Sequence, residues 1–291
     1  MKKYAAIDIG GTNIKAGMLA EDGSILKTRA IATPATAGRE EFLNSIVALV
    51  ESVGQGFAGL GISVLGAWSS EKRRVLGACE NLPVLEGWGF ADELQNIFKV
   101  PVVGENDVNA AAIGEAIFGA GKTLPQFFCV ALGTGIGGAY VVHRQLIKGA
   151  SGLAGEVGYL NTAPGSVYED RASARALLNA CRAIAAPEKT DREIFADAFA
   201  GVPGYQSILQ QWLHEVAAGI CQIVYVLDPG TVLVGGGISA LGRALTERVQ
   251  KEVDAQLLPD FAGKTKILPA QLGNAACLLG AVAPFLQNGT R

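Results

Sequence analysis

Residues 4–19 of the chain have the sequence YAAIDIGGTNIKAGML, in which two apolar runs flank a short polar segment with paired glycines. The runs Tyr4–Ile9 and Ile14–Leu19 are rich in residues that favour strands, whereas Gly10 and Gly11 between them favour a turn. The stretch therefore predicts two antiparallel strands joined by a hairpin. A third strand is predicted after the next turn, so the chain opens with an antiparallel meander.

The same pattern returns in the middle of the chain. Phe127–Leu132 predicts a strand, Gly133–Gly138 predicts a glycine-rich turn, and Ala139–His143 predicts a second strand. Each half of the chain later adds a helix and a further strand, such as Thr231–Val234 in the second half. This order indicates an internal duplication that is visible in the architecture and not in sequence identity.

The predicted elements make an α/β protein of two domains with a ligand cleft between them. We place the boundary in Gly119–Pro125, where a glycine-containing segment follows a predicted helix. Residues 1–118 then form an N-terminal α/β domain, and residues 119–274 form a larger C-terminal α/β domain. The closing helix, residues 275–288, is expected to pack back on the N-terminal domain.

The composition excludes several classes of protein. The 291 residues include 24 basic and 27 acidic side chains, a formal net charge of −3, so no basic excess exists for a nucleic-acid partner. No apolar run reaches membrane-spanning length, and the charged N-terminus contains no signal core. The five cysteines are scattered without a C-x-x-C pair, which is typical of reduced thiols and predicts a cytoplasmic location.

The first glycine turn has the residue types of an anion site. Gly10 and Gly11 allow backbone N–H groups to approach an anion without interference from a Cβ atom, and Thr12 adds a hydroxyl donor. Asp8 suits a position near phosphate only if a cation lies between them. An ordinary hairpin turn explains the same residues equally well, so both interpretations stay open for this segment alone.

The second glycine turn, LGTGIGG at residues 132–138, matches the G-x-G-x-x-G dinucleotide fingerprint. A dinucleotide loop opens a helix, however, and residues 139–143 predict a strand. The pattern therefore predicts a second phosphate-binding hairpin, and a sheet bend that requires glycine is the alternative. Gly235–Gly237, between a predicted strand and a helix, suits a flat nucleotide base lying against bare backbone, although a strand–helix turn is the plainer explanation.

Two groups of polar side chains suit a sugar and its chemistry. Asp107 follows a predicted strand and starts a helix, where the positive end of the helix dipole would keep a general base ionised. Taken alone, Asp107 is better explained as the N-cap of that helix. Asn106 can both donate to and accept from a polyol. Asn81, followed by Trp88, offers an amide and an aromatic wall, with an ordinary loop as the alternative.

Taken together, these motifs resemble the ROK family of bacterial sugar kinases, within the actin-like, hexokinase-like ATPase superfamily, over roughly residues 4–286. Asp8–Thr12 resembles the first phosphate motif of the family, Leu132–Gly138 the second, and Gly235–Gly237 the adenosine motif. The segments that resemble the family's sugar contacts are Ser63–Gly66, Asn81, Asn106 with Asp107, and Glu156.

The resemblance implies a two-domain actin-like ATPase fold of the ribonuclease H-like type, with ATP and Mg²⁺ as cofactors. It implies phosphorylation of a hexose at its 6-hydroxyl. Asp107 would be the general base, and Asp8 would bind the metal ion. The implied sugar-binding residues are Gly66, Asn81, Asn106, Asp107, Glu156 and Glu169. The implied nucleotide-binding residues are Asp8, Gly10, Gly11, Thr12, Lys15, Gly133, Thr134, Gly135, Gly235, Gly236 and Gly237. A homodimer is expected, with neither nucleic acid nor a membrane as partner.

The sequence departs from the family pattern at one place. Most members carry a His three residues after the sugar-binding Glu and then a cysteine cluster for zinc, but here Tyr159 follows Glu156 at that spacing. No Cys or His occurs between Tyr159 and Arg175, so we expect no zinc, and Glu169 matches the last residue of the cluster. The resemblance is thus to a zinc-less branch that acts on glucose, β-glucosides or N-acetylmannosamine.

Two other functions remain as alternatives. A non-catalytic sugar-binding regulator could use the same fold, although Asp107 argues against it. An NAD(P)-dependent dehydrogenase would need a helix directly after residues 132–138.

Overall fold

The computed structural model describes residues 2–79 and 81–287, and it divides by internal contacts into two compact units. The first unit contains Met1–Thr123, Arg144–Ala154 and Asn274–Arg291. The second unit contains Leu124–His143 and Gly155–Gly273. Arg144–Ala154 thus groups with the first unit, although it lies inside the range assigned to the second domain from the sequence.

The described strands alternate with helices along the chain. The strands are β1 (Lys3–Ile9), β2 (Asn13–Ala20), β3 (Ile25–Ala32), β4 (Leu60–Val64), β5 (Trp68–Ser69), β6 (Arg74–Val75), β7 (Val102–Asn106), β8 (Gln126–Leu132), β9 (Ile136–Val142), β10 (Gln145–Leu146), β11 (Thr231–Gly235) and β12 (Lys266–Pro269). The α-helices are α1 (Arg39–Val53), α2 (Phe90–Phe98), α3 (Asp107–Phe118), α4 (Tyr168–Ala172), α5 (Ala174–Arg182), α6 (Asp191–Ala200), α7 (Gln206–Leu227), α8 (Gly242–Gln256) and α9 (Ala276–Gln287). Among the described residues, no helix is long and apolar enough to span a membrane.

The opening hairpin predicted from residues 4–19 is confirmed. β1 pairs antiparallel with β2, and the first sheet has the order β3-β2-β1-β4-β7. β4 is parallel to both β1 and β7, so the carboxyl ends of these three strands meet at one edge. Ligands of open α/β sheets bind outside that kind of edge.

The second unit repeats this arrangement. Four strands of its sheet have the order β9-β8-β11-β12, with β8 antiparallel to β9 and β11 parallel to both β8 and β12. This is the order and direction of β2-β1-β4-β7 in the first unit. The predicted architectural duplication is therefore confirmed, and it arises without similar sequences because both halves alternate buried strands with glycine turns in the same order.

The closing helix α9 packs on the first unit. A methyl group at Gly280 would overlap the backbone carbonyl of Ala110 in α3, and one at Gly61 in β4 would overlap the backbone of Ala281. The Phe285 ring stacks on Tyr4 of β1, with 5.2 Å between the ring centroids. The absence of side chains at these glycines lets the backbone of α9 lie directly on α3 and on the sheet.

We expect Gly280→Ala to destabilise the first unit by about 3 kcal/mol. Alanine is intrinsically better than glycine in a helix by about 0.5–1 kcal/mol, so any loss of stability has to come from the overlap with Ala110. Thermal and urea unfolding followed by circular dichroism measure the change. Gly77→Ala is the matched control, because a Cβ atom there meets open space. Equal stability of the two variants would contradict the close packing of α9.

Candidate active site

Three polar side chains lie in register across the parallel strands of the first sheet. Asp8 in β1 is paired with Ser63 in β4, and Ser63 is paired with Glu105 in β7. The Ser63 hydroxyl, which is fully buried, donates to Oδ1 of Asp8 at 2.8 Å. Asp8 and Asn106 are at the carboxyl ends of their strands, as the sequence motifs suggested.

Asn106, and not Asp107, is the N-cap of α3. Its Oδ1 accepts from the backbone N–H groups of Val108, at 3.0 Å, and Asn109, at 3.1 Å. The interpretation of Asp107 as the capping residue is therefore wrong, because Asp107 is the first residue of the helix and the preceding side chain satisfies the helix end.

The Asn106 amide also holds Asp107. Nδ2 of Asn106 donates to Oδ1 of Asp107 at 2.9 Å and to the carbonyl oxygen of Gly66 at 3.1 Å. An amide side chain has two donor and two acceptor positions, and all four are used here within the protein. In this arrangement Asn106 orients Asp107, and a sugar hydroxyl could bind it only by exchange with one of these bonds.

The Asp107 carboxyl is shifted toward neutral pH. Burial, followed by the charge of the Asp8 carboxylate, raises the pKa of Asp107 to about 6. Hydrogen bonds from Asn106 and from the first backbone N–H groups of α3 lower the pKa and offset part of this rise. The shift is opposite in sign to the one that the helix N-terminus alone would cause. Asp107 is still mostly ionised at pH 7, with the proton affinity that suits a general base.

Asp8 is a second buried carboxyl in the same unit. Burial raises the pKa of Asp8, while the Ser63 hydroxyl, the charge of Lys15 and the Cys277 thiol lower it in part. Lys15 lies opposite Asp8 across the hairpin, and its Nζ donates to Oδ1 of Asn274 at 3.3 Å. The structure thus brings the predicted metal and nucleotide residues of β1 and β2 beside the start of α9.

The predicted sugar loop lies beside the first glycine turn. A Cβ atom at Gly11 would be 3.6 Å from Cβ of Asn81, and both residues are exposed. Gly66 has a φ of +90°, and a side chain there would meet the carbonyl oxygen of Gly77 at 2.8 Å, so only glycine fits. The tight packing at Gly66 fixes the position of its carbonyl oxygen, which accepts the hydrogen bond from the Asn106 amide.

Trp88 does not form an aromatic wall of a site, so that prediction is wrong. Its side chain is in the core of the first unit, near Phe42 and Phe90. Its Nε1 donates to Glu93 at 2.6 Å, which satisfies the indole within the protein.

Sequence reasoning missed three side chains close to Asp107. Glu105 accepts from the backbone N–H of Asn106 at 3.1 Å, and it forms an ion pair with Lys148, which also donates to the Ser70 hydroxyl. Cys277 donates from its thiol to the backbone carbonyl of Asp107 at 3.6 Å. The position of Glu105 directly before Asn106 was a usable signal. Lys148 and Cys277 carry none, because they are distant along the chain.

The glycine turn of the second unit leads directly into β9, which confirms the predicted strand. A dinucleotide-binding loop would be followed by a helix, so the structure excludes that interpretation of the motif. Part of its glycine content has a packing reason. A Cβ atom at Gly135 would be 2.5 Å from Oε2 of Glu169, and one at Gly138 would be 2.6 Å from the Phe128 ring. Oε2 of Glu169 also accepts from the backbone N–H of Ile136 at 3.2 Å, so Glu169 supports this turn. Gly133 and Thr134 remain candidates for phosphate.

Glu156 and Glu169 are close enough to interact electrostatically. Burial and the nearby charge of Glu169 raise the pKa of Glu156, which directly precedes a short 3₁₀ helix, Val157–Tyr159. The Tyr159 side chain is 55% exposed. The second unit thus offers two carboxylates and a phenol in one region, as the sequence suggested.

Packing explains only part of the glycine run Gly235–Gly237, which begins with the last residue of β11. Gly236 has a φ of +89°, and a side chain there would meet the backbone of Leu132 at 2.5 Å. At Gly237 the nearest atom to a Cβ would be the Leu132 carbonyl oxygen, 4.0 Å away. The turn itself explains Gly236, and Gly237 remains the candidate for contact with a nucleotide base.

Metal-binding chemistry in the structure is sparse. Within residues 2–79 and 81–287, no group of three or more His, Cys, Asp or Glu side chains is arranged to hold a metal ion. A single carboxylate such as Asp8 can still hold Mg²⁺ when phosphate and water supply the other oxygens.

The duplicated sheets and the polar ends of their strands define the two-domain actin-like ATPase fold. The structure of a ROK family glucokinase from Streptomyces griseus, solved with glucose and AMPPNP, has a TM-score of 0.86 and 30% identity to this chain. That alignment covers 97% of this chain and 98% of the glucokinase chain.

The chain belongs to the ROK family, whose model matches residues 4–288. It is similar to the glucokinase of Streptomyces coelicolor, with 31% identity over 94% of this chain and 95% of that protein. It is also similar to the β-glucoside kinase of Listeria innocua, with 29% identity over 99% of both chains.

We expect Asp107→Asn to stabilise the protein above pH 6, by about 1–3 kcal/mol. The folded-state pKa of Asp107, about 6, lies above the ordinary value of 3.8, so ionisation opposes folding as pH rises from about 4 to 6. Asparagine keeps an oxygen acceptor and has no charge to bury. Melting temperatures from pH 5 to pH 8 should show a difference from wild type that widens with pH and then becomes constant.

The control for this prediction is Asp22→Asn, because Asp22 is fully exposed. Its charge is not among the causes of the pKa shifts of Asp8 and Asp107. A melting temperature of Asp107→Asn below that of wild type at pH 8 would contradict the prediction, because it would show that the ionised Asp107 carboxylate does not destabilise the folded protein.

Proposed function

We propose that this protein is an ATP-dependent sugar kinase that transfers the γ-phosphate of ATP to the 6-hydroxyl of a hexose. The observation that carries the proposal is the buried Asp107 carboxyl, which is oriented by Asn106 and has a pKa of about 6. The family match and the similarity to glucokinases and a β-glucoside kinase support the reaction class.

Asp107 acts as the general base in this proposal. As the sugar O6 attacks the γ-phosphorus, its proton passes to the Asp107 carboxylate, the O6–P bond forms, and the bond from phosphorus to the β,γ-bridging oxygen breaks to release ADP. The transition state of such transfers is loose, so the protein contributes chiefly position and charge stabilisation. Asn106 and the Gly66 carbonyl hold the base in one orientation.

The nucleotide contacts are proposed from the glycine turns of the two units. In the first unit they are Gly10, Gly11, Thr12 and Lys15, and in the second they are Gly133, Thr134, Gly135, Gly235, Gly236 and Gly237. Gly237 supports an adenosine contact best, because packing does not require glycine at that position.

Asp8 would hold Mg²⁺, which when bound neutralises the β- and γ-phosphate oxygens. The residues fit this ion, since Asp8 is a hard oxygen donor and its Oδ1 is already oriented by Ser63. Structural zinc is not part of the proposal, because Tyr159 and the residues up to Arg175 supply no Cys or His ligands. A homodimer also remains a proposal.

The sugar is proposed to be glucose or a relative modified at C1 or C2, such as a β-glucoside or N-acetylmannosamine. Asn81, Glu156 and Glu169 supply the amide and carboxylates that suit vicinal hydroxyls, and Gly66 supplies backbone. The exposed Tyr159 phenol replaces the family's imidazole, so tolerance at C1 and C2 is where this chain should differ.

We expect Asp107→Asn to lower kcat by about 10²–10⁴-fold, the usual contribution of a general base. Wild-type kcat/KM should rise with pH through about 6, because the base has to be ionised, and the variant should lose this rise. Initial rates of ADP release from pH 5 to pH 8 measure both effects. Asp22→Asn serves as the matched control and should behave as wild type. Near-wild-type turnover of Asp107→Asn would disprove the assigned role.

A substrate panel tests the sugar class. We expect ADP release with glucose, a β-glucoside or N-acetylmannosamine, and a 6-phosphate product identified by NMR. A site that hydrogen-bonds hydroxyl groups through buried acceptors discriminates strongly against analogues that lack one. Turnover confined to a ketose, a pentose or a non-sugar alcohol would contradict the proposal, as would sugar binding without any turnover.

A further inference from the structure

We infer that Cys277 is a positioning residue for phosphoryl transfer, because its thiol joins α9 to the first turn of α3 and thereby holds Asp107 in place. This inference rests on the proposed role of Asp107 as the base. It concerns a side chain that is 170 positions away from Asp107 along the chain.

The backbone contact between α9 and α3 puts Cys277 at this position. Gly280 lies against the Ala110 carbonyl, and Gly114 lies against the Ala276 carbonyl. The two helices therefore cross with their backbones in direct contact, and no long or flexible side chain sets the distance between them. Cys277 lies beside this crossing, and its thiol reaches the carbonyl group of Asp107 in the first turn of α3.

The thiol donates to the backbone carbonyl oxygen of Asp107 at 3.6 Å. A thiol carries a single hydrogen, so this bond uses its donor capacity. The Asp8 carboxyl and the Ser63 hydroxyl are further polar neighbours of the thiol.

Asp107 is thus held from two directions. Asn106 and Gly66 fix its side chain from the β7 end, and Cys277 fixes its backbone from α9. A displacement of a catalytic group by about 1 Å can lower a rate about 10²-fold, so a weak bond at this position has a large kinetic effect.

The test compares donor-containing and donor-free side chains at position 277. We expect Cys277→Ala and Cys277→Val to lower kcat by about 10–100-fold, with KM for sugar and for ATP within about twofold of wild type. Cys277→Ser retains a donor and should recover most of the lost kcat. Valine fills the space of the thiol, so it provides the test even if alanine loosens α9. Wild-type kcat in Cys277→Val would overturn the inference, as would an equal loss in the serine variant.

Cys221→Ala is the matched control. The Cys221 thiol, like that of Cys277, donates to a backbone carbonyl, that of Val253 at 3.7 Å, but it is buried in the core of the second unit. Loss of a buried thiol with only structural effects should lower the melting temperature and leave kcat unchanged. A similar fall in kcat in Cys221→Ala would mean that the effect at position 277 is general destabilisation.

A double variant separates this inference from the proposed function. If Cys277 acts through Asp107, adding Cys277→Ala to Asp107→Asn should cause less than a twofold further loss of kcat. If the kcat of the double variant instead falls by the product of the two single losses, the two residues act independently. That result would overturn the inference about Cys277 and would not affect the proposed role of Asp107. High turnover of Asp107→Asn alone would instead overturn the proposed base, whatever Cys277→Ala does.

Discussion

The direct contact between the backbones of α9 and α3 is the constraint on which the first unit depends. Gly280 has no side chain, so the helix that comes last in the chain can lie against Ala110. That contact returns Asn274 and the residues after it to the unit formed by the first part of the chain. It also decides which residue of α9 reaches the first turn of α3, where the Cys277 thiol donates to the Asp107 carbonyl.

The second constraint is electrostatic. Burial raises the pKa of both Asp8 and Asp107, and the charge of Asp8 further opposes ionisation of Asp107. Burying such charges is unfavourable unless hydrogen bonds compensate for the lost solvent, and Ser63 and Asn106 provide that compensation in part. The remaining imbalance leaves Asp107 with a pKa of about 6, which suits a base that has to be ionised at neutral pH and still accept a proton. The cost of ionising Asp107 and its suitability as a base thus have one origin.

Glycine clusters in this chain serve packing and ligand contact at adjacent positions. Gly236 is required by its backbone angle and by Leu132, whereas nothing in the packing requires Gly237. Gly135 lies against the carboxylate of Glu169, a side chain that we also propose for the sugar. A glycine motif in a sequence therefore indicates a close approach of backbone, but only the structure shows whether the approaching group is the protein itself.

Local patterns in the amino-acid sequence predicted the strands and turns and Asp107 as a candidate, and the order of the motifs along the chain indicated the duplication and the family. The sequence left open whether Asp107 only caps its helix, and it placed Trp88 in a site when the residue belongs to the core. Only the tertiary structure revealed Lys148 beside Glu105 and Cys277 beside Asp107. Such contacts join residues far apart in the chain, and the one at Cys277 arises from how α9 packs on α3, which no local pattern encodes.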